Sequence, residues 1–281
     1  MQRPDHRRFS SPGRDMDRER RAWLERSEGQ TIALASDYPR GYVVSMHRHT
    51  RAQLLYALTG VVMVTTHIGR WVVPAGDALW IPSGAEHAVE MLGAVNMRSV
   101  YVRPDAIEGL PETIRVMAVT DLMRSLIVEA ATLPLDHEPM SRAGLVLALM
   151  TQEIPRLPVQ PLGLAFPAEP RLALLCRGFL DNPSSQVRID DWAKRLAMSR
   201  RAFTRTFRSQ TGLSLSAWRQ QACLFAALPR LAAGEPVTSV ALDLGYDSVP
   251  AFTTMFKRML GAPPSRYLGR GLTAAEPQPG S

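Results

Sequence analysis

The sequence predicts an α+β multidomain chain, with a β-barrel or sandwich first and an all-α domain last. Three observations carry that reading. From Thr31 to Val102, short β-branched and aromatic runs (TIALA, GYVVSM, QLLYAL, GVVMVTTHI, RWVVP, DALWIP) are cut by Gly and Pro; a spacing of about 8 to 12 residues with turn signals between is the texture of an all-β unit. From Arg171 to Leu268 apolar residues recur at helical spacing in short segments. Between these regions Pro155, Pro158, Pro161, Pro167 and Pro170 crowd together, too densely for a helix or a central strand. The length of 281 residues fits two domains of about 100–200 residues each.

In chain order, residues 1–27 are charged, nearly without apolar periodicity, and are expected to be a disordered basic tail, with Met16 an alternative start to Met1. Residues 28–104 form the β domain. Residues 105–158 follow as a helical segment, with one helix expected from Pro111 to Leu133 and a second capped by Ser141. Apolar residues on more than one face of these helices need cover, from the β domain or from a second copy of the chain. Residues 159–170 are expected to be a linker, 171–270 the α domain, and 271–281 a flexible tail.

The net charge of +7 is unevenly spread. Residues 28–170 carry 10 basic against 14 acidic residues, whereas 171–270 carry 15 against 6. Only the last third therefore suits a polyanion. Cys176 and Cys223, the only cysteines, exclude a disulfide scaffold and read as small core hydrophobes. No run approaches the ~18 apolar residues of a spanning helix, and the Arg-rich N-terminus lacks the apolar region of a secretory signal. A cytoplasmic protein without membrane contact is expected.

Two motifs carry chemistry. In the β domain a period-two strand would place His47 and His49 on one face, with Gln53 returning to it, and His87 is a third imidazole for the same wall. Gly41, His47-x-His49, Gln53 and Gly60, followed by Gly76, Pro82-x-Gly84 and His87, hold the spacing of the two cupin motifs. This stretch resembles a cupin. The resemblance implies a barrel whose ligands are His47, His49, Gln53 and His87, with Gln53 standing where Glu is usual and Met91 where Asn is usual. Such a site suits a divalent transition metal, or an organic effector in its place.

In the α domain, DDWAKRLAMSRRAFTRTFRSQTG reads as helix, turn, helix. Asp190 and Asp191 suit the positive end of a helix dipole, and Ser199 is a cap for the second helix. Phe203 and Phe207 face inward, leaving Arg200, Arg201, Thr204, Arg205 and Arg208 outward. That cationic face suits major-groove reading, although a merely solvated helix also presents such a face. A second copy follows, with Ala241, Gly245-Tyr246, Ser248, Phe252 and Phe256 in the corresponding places. The run ALDLGYDSVPAFTTMFKRMLGAPPSRYL resembles the signature of AraC/XylS regulators. The resemblance implies two recognition helices in successive major grooves. Its base-reading candidates are Arg201, Thr204 and Arg205 in the first unit and Val249, Pro250, Thr253 and Thr254 in the second. Lys257 and Arg258 would then hold phosphates, and Ser199 and Ser248 would open the two helices. Pro229 is expected to kink or end the helix that joins the units.

Together these features predict a DNA-binding transcriptional regulator controlled by a small molecule or metal in the cupin domain. It would act on promoter DNA as a homodimer through residues 105–158, with RNA polymerase as a further partner if it activates. The competing expectation is a metal-dependent cupin enzyme, a dioxygenase or isomerase, with an accessory helical domain. Against an enzyme stands the lack of a general acid or base near the histidines, Glu86 apart.

Overall fold

A computed structural model describes residues 8–9, 14–134 and 137–266. The expectations for the rest of the N-terminal tail and for 271–281 lie outside the described residues. The chain divides into two compact units, Met1–Thr66 with Val73–Gln160 and His67–Val72 with Pro161–Ser281.

The first unit is built on a seven-stranded sheet. It contains β1 (Arg8–Phe9), β2 (Thr31–Tyr38), β4 (Ala52–Thr59), β7 (Asp77–Ile81), β9 (Val95–Val102), β10 (Arg115–Ala118) and β11 (Val159–Gln160), in the order β1-β2-β9-β4-β7-β10-β11. Facing strands β3 (Val43–His47), β5 (Val61–Thr66) and β8 (His87–Met91) pair antiparallel around β8. Gly60 turns β4 into β5 at φ 84°, and a Cβ there would collide with the carbonyl of Ala94. Only glycine fits that corner.

β4 is buried on both faces. Leu54 and Tyr56 point outward, where they meet Trp80, Met123, Ile127, Leu147 and Met150 in one continuous core, while Gln53 and Leu55 point into the barrel. Helices α2 (Asp121–Ala130) and α3 (Arg142–Glu153) thus cover the outer face of the sheet. Ser141 caps α3 as expected, accepting from Gly144 N.

Four expectations are corrected. Residues 111–133 do not form one helix: Arg115–Ala118 pairs with β7 as β10, and α2 begins at Asp121 behind Thr120, whose hydroxyl accepts from Met123 N. Val116 and Met117 are buried; an open sheet edge and a β-branched residue outweigh local helical spacing. Residues 1–27 are not wholly disordered, because Arg14–Arg26 is a helix, α1, whose Leu24 packs on Ile32, Leu34 and Tyr101. Glu25 fixes it by accepting from Thr50 N (2.9 Å) and Thr50 Oγ1 (2.5 Å).

The expected 159–170 linker does hold the division between the two units, after Gln160, but it is not without secondary structure. Besides β11 it contains β12 (Gly163–Ala165), which pairs antiparallel, within the second unit, with Gly69, Arg70 and Trp71 of β6 (Gly69–Pro74). Leu162 and Leu164 are fully buried. The prolines flank strands of two and three residues, where few ladder donors are needed.

The second unit continues with α4 (Pro170–Asp181), α5 (Ile189–Arg195), α6 (Arg200–Thr211), α7 (Leu215–Ala232), α8 (Val237–Asp243) and α9 (Val249–Leu260). Trp218 on α7 is the hub of the first half: its ring centroid lies 5.6 Å from Phe179 and 6.0 Å from both Trp192 and Phe207. Its indole N–H donates to Ala165 O at 3.0 Å. The fourth correction concerns one of the two outcomes expected of Pro229: it does not end α7, because the helix runs through it to Ala232. Leu228 and Leu231 are buried on either side of the proline, so packing holds a turn that lacks one backbone donor.

Candidate metal centre and candidate nucleic-acid interface

His47, His49 and His87 converge: one ligand atom from each lies within 4.8 Å of the others. The sequence predicted their meeting but not how it arises. His47 ends β3, His49 lies in the corner between the sheets, and Gln53 is on β4, so the three do not share one strand. An irregularity between Val44 and His47 shifts the register by one residue and sets His47 opposite His87. A bulge of this kind re-aims a side chain that simple alternation would point outward.

Each imidazole has its Nδ1 against a backbone carbonyl: His47 on Ser45 (2.8 Å), His49 on Arg51 (2.5 Å) and His87 on Ala85 (2.9 Å). Nδ1–H donates in each case, which leaves Nε2 with a lone pair for the shared space. Burial lowers the pKa of His49, and burial followed by the nearby His47 pushes His87 down to about 3. Both are therefore neutral at physiological pH, the state that ligates metals.

Two features fit a cation. The Nε2 of His87 is buried with no hydrogen-bond partner among the described residues. The Nε2 of His49 lies 3.1 Å from Gln53 Oε1, while the Gln53 amide nitrogen donates to Ser99 Oγ (3.0 Å) and Tyr101 OH (3.3 Å). With the His49 proton on Nδ1, two lone pairs face each other there, and a cation satisfies both. The cavity they line has a volume of about 40 Å³. The sequence reading missed that Ser99 and Tyr101 line it, although Met97, Ser99 and Tyr101 alternate along β9. It also missed Arg20 and Arg21 of α1, for which the sequence offers no periodic signal.

The second unit repeats itself. Ser199 and Ser248 cap α6 and α9, accepting from Ala202 N and Ala251 N, and both helices end on a left-handed glycine, Gly212 and Gly261. Phe203 and Phe207, like Phe252 and Phe256, are buried and in ring contact at 5.6 and 5.9 Å. Arg200, Arg201, Thr204, Arg205 and Arg208 form an exposed face of α6. Arg200 reaches Asp190 at 3.4 Å, whereas Arg201, Arg205 and Arg208 have no ion pair among the described residues.

On α9, Ser248, Pro250, Thr254, Lys257 and Arg258 are exposed, and Val249 and Thr253 are half-buried. Arg258 donates to Gln220 on α7 at 2.6 Å. The loop before α5 clamps the second turn: Ser185 N donates to Leu244 O (2.8 Å), Ser185 Oγ to Gly245 O, and Gln186 Nε2 to Gly245 O (2.8 Å) and Asp247 Oδ1 (3.2 Å). The two helix-turn-helix repeats are thereby fastened by a loop as well as by the joining helix α7, and the loop contact is one that sequence reading did not anticipate.

Residues 30–162 match the family of AraC-like ligand-binding domains, and residues 192–270 match a helix-turn-helix domain family. The HTH-type transcriptional regulator NimR of Escherichia coli (strain K12) is 36% identical over 235 residues, covering 83% of this chain and 85% of NimR. The chain belongs to the AraC family of transcriptional regulators. It is a DNA-binding regulator with an N-terminal ligand-binding domain.

The regulatory protein SoxS of the same strain is 34% identical to this AraC-family chain over 92 residues, 32% of the chain and 83% of SoxS. A crystal structure of the DNA-binding domain of AdpA in complex with a target DNA is 32% identical, covers 39% of this chain and 98% of that one, and has a TM-score of 0.35. In this AraC-family member α1 precedes the segment matched to the ligand-binding domain.

Proposed function

We propose that this regulator reads its operator mainly through α6 and uses α9 mainly to hold phosphates. The asymmetry of the two exposed faces supports this. Arg201 and Arg205 on α6 are free to take guanine O6 and N7, with Arg200, Arg208 and Ser199 beside them. Val249 and Pro250 on α9 cannot hydrogen-bond a base edge, so Thr253 and Thr254 contribute modestly and Lys257 and Arg258 neutralise phosphates.

The effector is bound in the barrel. His47, His49 and His87 would hold a divalent transition metal through Nε2 atoms, with Gln53 Oε1 beside them; a metal there supplies a Lewis-acidic anchor for a ligand. The role is sensing, not catalysis: Glu86, the acid nearest in sequence, is exposed and does not line the cavity. Homodimerisation runs through the outer face of α2 and α3, where Leu122 and Leu145 are each 50% exposed and Leu149 44%. Effector binding shifts how the paired DNA-binding units are presented. RNA polymerase is a further partner if the outcome is activation, and the site of action is the cytoplasm.

The test is a gel-shift titration of the purified chain against its own upstream DNA and random DNA at physiological salt. Tighter binding to the upstream DNA is expected; equal affinities would refute sequence reading by α6.

A further inference from the structure

Three backbone carbonyls orient the three imidazoles, and they differ in how firmly they are held. Ser45 is exposed and Ala85 half-buried. Arg51, whose carbonyl accepts from His49 Nδ1 at 2.5 Å, is only 4% exposed. Its guanidinium is engaged by main chain: Nη2 donates to Ser27 O (2.5 Å), and Nη1 to Gly29 O (2.6 Å) and Gln30 O (3.3 Å). These carbonyls directly follow α1, at the end of a helix that favours a cation. The planar fork of an arginine has little freedom left once such a set holds it.

The neighbouring residues are tied as well. Thr50 N and Oγ1 donate to Glu25 of α1 (2.9 and 2.5 Å), Ser83 Oγ donates to Thr50 O (2.6 Å), and Gly84 N donates to His49 O (2.9 Å). Ser83 and Gly84 belong to the turn that leads into His87. The corner that carries His49 is therefore clamped between the end of α1 and the turn of the third imidazole. Loss of the group that orients a ligating histidine typically weakens metal binding ~10–100-fold.

We propose that Arg51 is a positioning residue of the metal centre: its guanidinium, held by Ser27, Gly29 and Gln30, fixes the carbonyl that aims His49 Nε2 into the space shared with His47 and His87. This rests on the metal reading above and deepens it. Loading then depends on a residue outside the ligand set, and on main chain at 27–29 that precedes the matched ligand-binding segment. The direction of the effect separates positioning from electrostatics. Removing a positive charge near a cation site strengthens metal binding by Coulomb's law, whereas loosening His49 weakens it.

The test measures the Zn(II) affinity of the full-length protein by competition with a chelator, and the visible ligand-field bands of the Co(II)-loaded form. Arg51→Met should weaken zinc binding about tenfold and alter the Co(II) bands, although it removes a positive charge. Arg51→Lys keeps the charge but not the fork, and should weaken zinc binding about threefold. Arg103→Gln removes a positive charge that acts on Arg51, but none of the contacts of the corner, and should stay within about twofold of wild type. Urea denaturation of the metal-free variants establishes which of them fold; where Arg51→Met does not, Arg51→Lys decides alone. Affinity within twofold of wild type, or above it, with unaltered Co(II) bands in either folded Arg51 variant overturns the proposal and leaves the metal reading standing, as does a tenfold loss in Arg103→Gln. Failure of the wild-type chain to load zinc, the behaviour expected of His49→Ala, overturns the metal reading and this inference with it.

Discussion

Ala197 and Gly245 occupy the same left-handed corner of the two helix-turn-helix units, at φ 54° and 73°. In each unit the next amide returns to the first helix: Met198 N to Ala193 O at 2.9 Å, and Tyr246 N to Ala241 O at 3.0 Å. A Cβ in this region costs about 1–2 kcal/mol, against about 0.5–1 kcal/mol of extra unfolded-state freedom for glycine. Ala197→Gly should therefore stabilise the chain by roughly 0.5–1 kcal/mol in urea denaturation. Gly245→Ala should destabilise it by more than Ala197→Gly gains, because the new Cβ would also lie 2.8 Å from Ser184 Oγ. Loss of stability in Ala197→Gly would show that the corner is not strained.

The two recognition faces should respond differently to truncation. Arg201→Ala and Arg205→Ala should each cost about 1–3 kcal/mol of operator affinity and relax base preference, whereas Lys257→Ala should weaken all DNA alike and lower the salt slope by about one. Gel shifts over a salt series with operator and random duplexes measure both quantities. Uniform loss in all three variants would place sequence reading elsewhere.

The buried thiols predict an alkaline weakness. Cys176 and Cys223 are fully buried, and burial pushes both up to about 12 from the ordinary 9.0. The unfolded chain loses these protons above pH 9 while the folded chain keeps them, so stability falls as pH rises from 9 toward 12. The slope approaches ~1.4 kcal/mol per pH unit for each thiol. Urea denaturation at pH 8 and pH 10 should show the drop in wild type and a smaller one in Cys176→Ala/Cys223→Ala. Native protein at pH 8 should not react with a thiol reagent; rapid labelling would contradict the burial.

The outer faces of α2 and α3 predict association. Leu145→Asp with Leu149→Asp alters two exposed side chains, so stability should change by only about 0.5 kcal/mol. Sedimentation should nevertheless fall from a dimer to the 31.1 kDa chain. An unchanged dimer would remove α3 from the interface.

The recognition helices were legible before any coordinates because their determinants are local. Ser199 and Ser248 as caps, and the phenylalanine pairs four residues apart, lie within single helices and need only helical geometry to be interpreted. The cupin spacing was legible for a related reason, since its glycines mark turns. Errors arose where a segment's partner lies far away in sequence. Arg115–Ala118 reads as helix until β7 offers an edge, and Arg20 reads as one more surface charge until Ser36 and Tyr38 enclose it.

The amino-acid sequence by itself determined the two-part organisation, the histidine triad and the tandem arginine-bearing helices. The tandem helices are written in spacings of a few residues, over which backbone geometry alone decides which side chains share a face, and the triad in the spacing of the two cupin motifs. Tertiary structure alone decided that a bulge in β3 aims His47 at His87, that α1 places Arg20 over their cavity, and that Ser185 and Gln186 fasten the second helix-turn-helix to the first. Those arrangements depend on register and packing between distant segments, whose free energy is set only when the whole core closes.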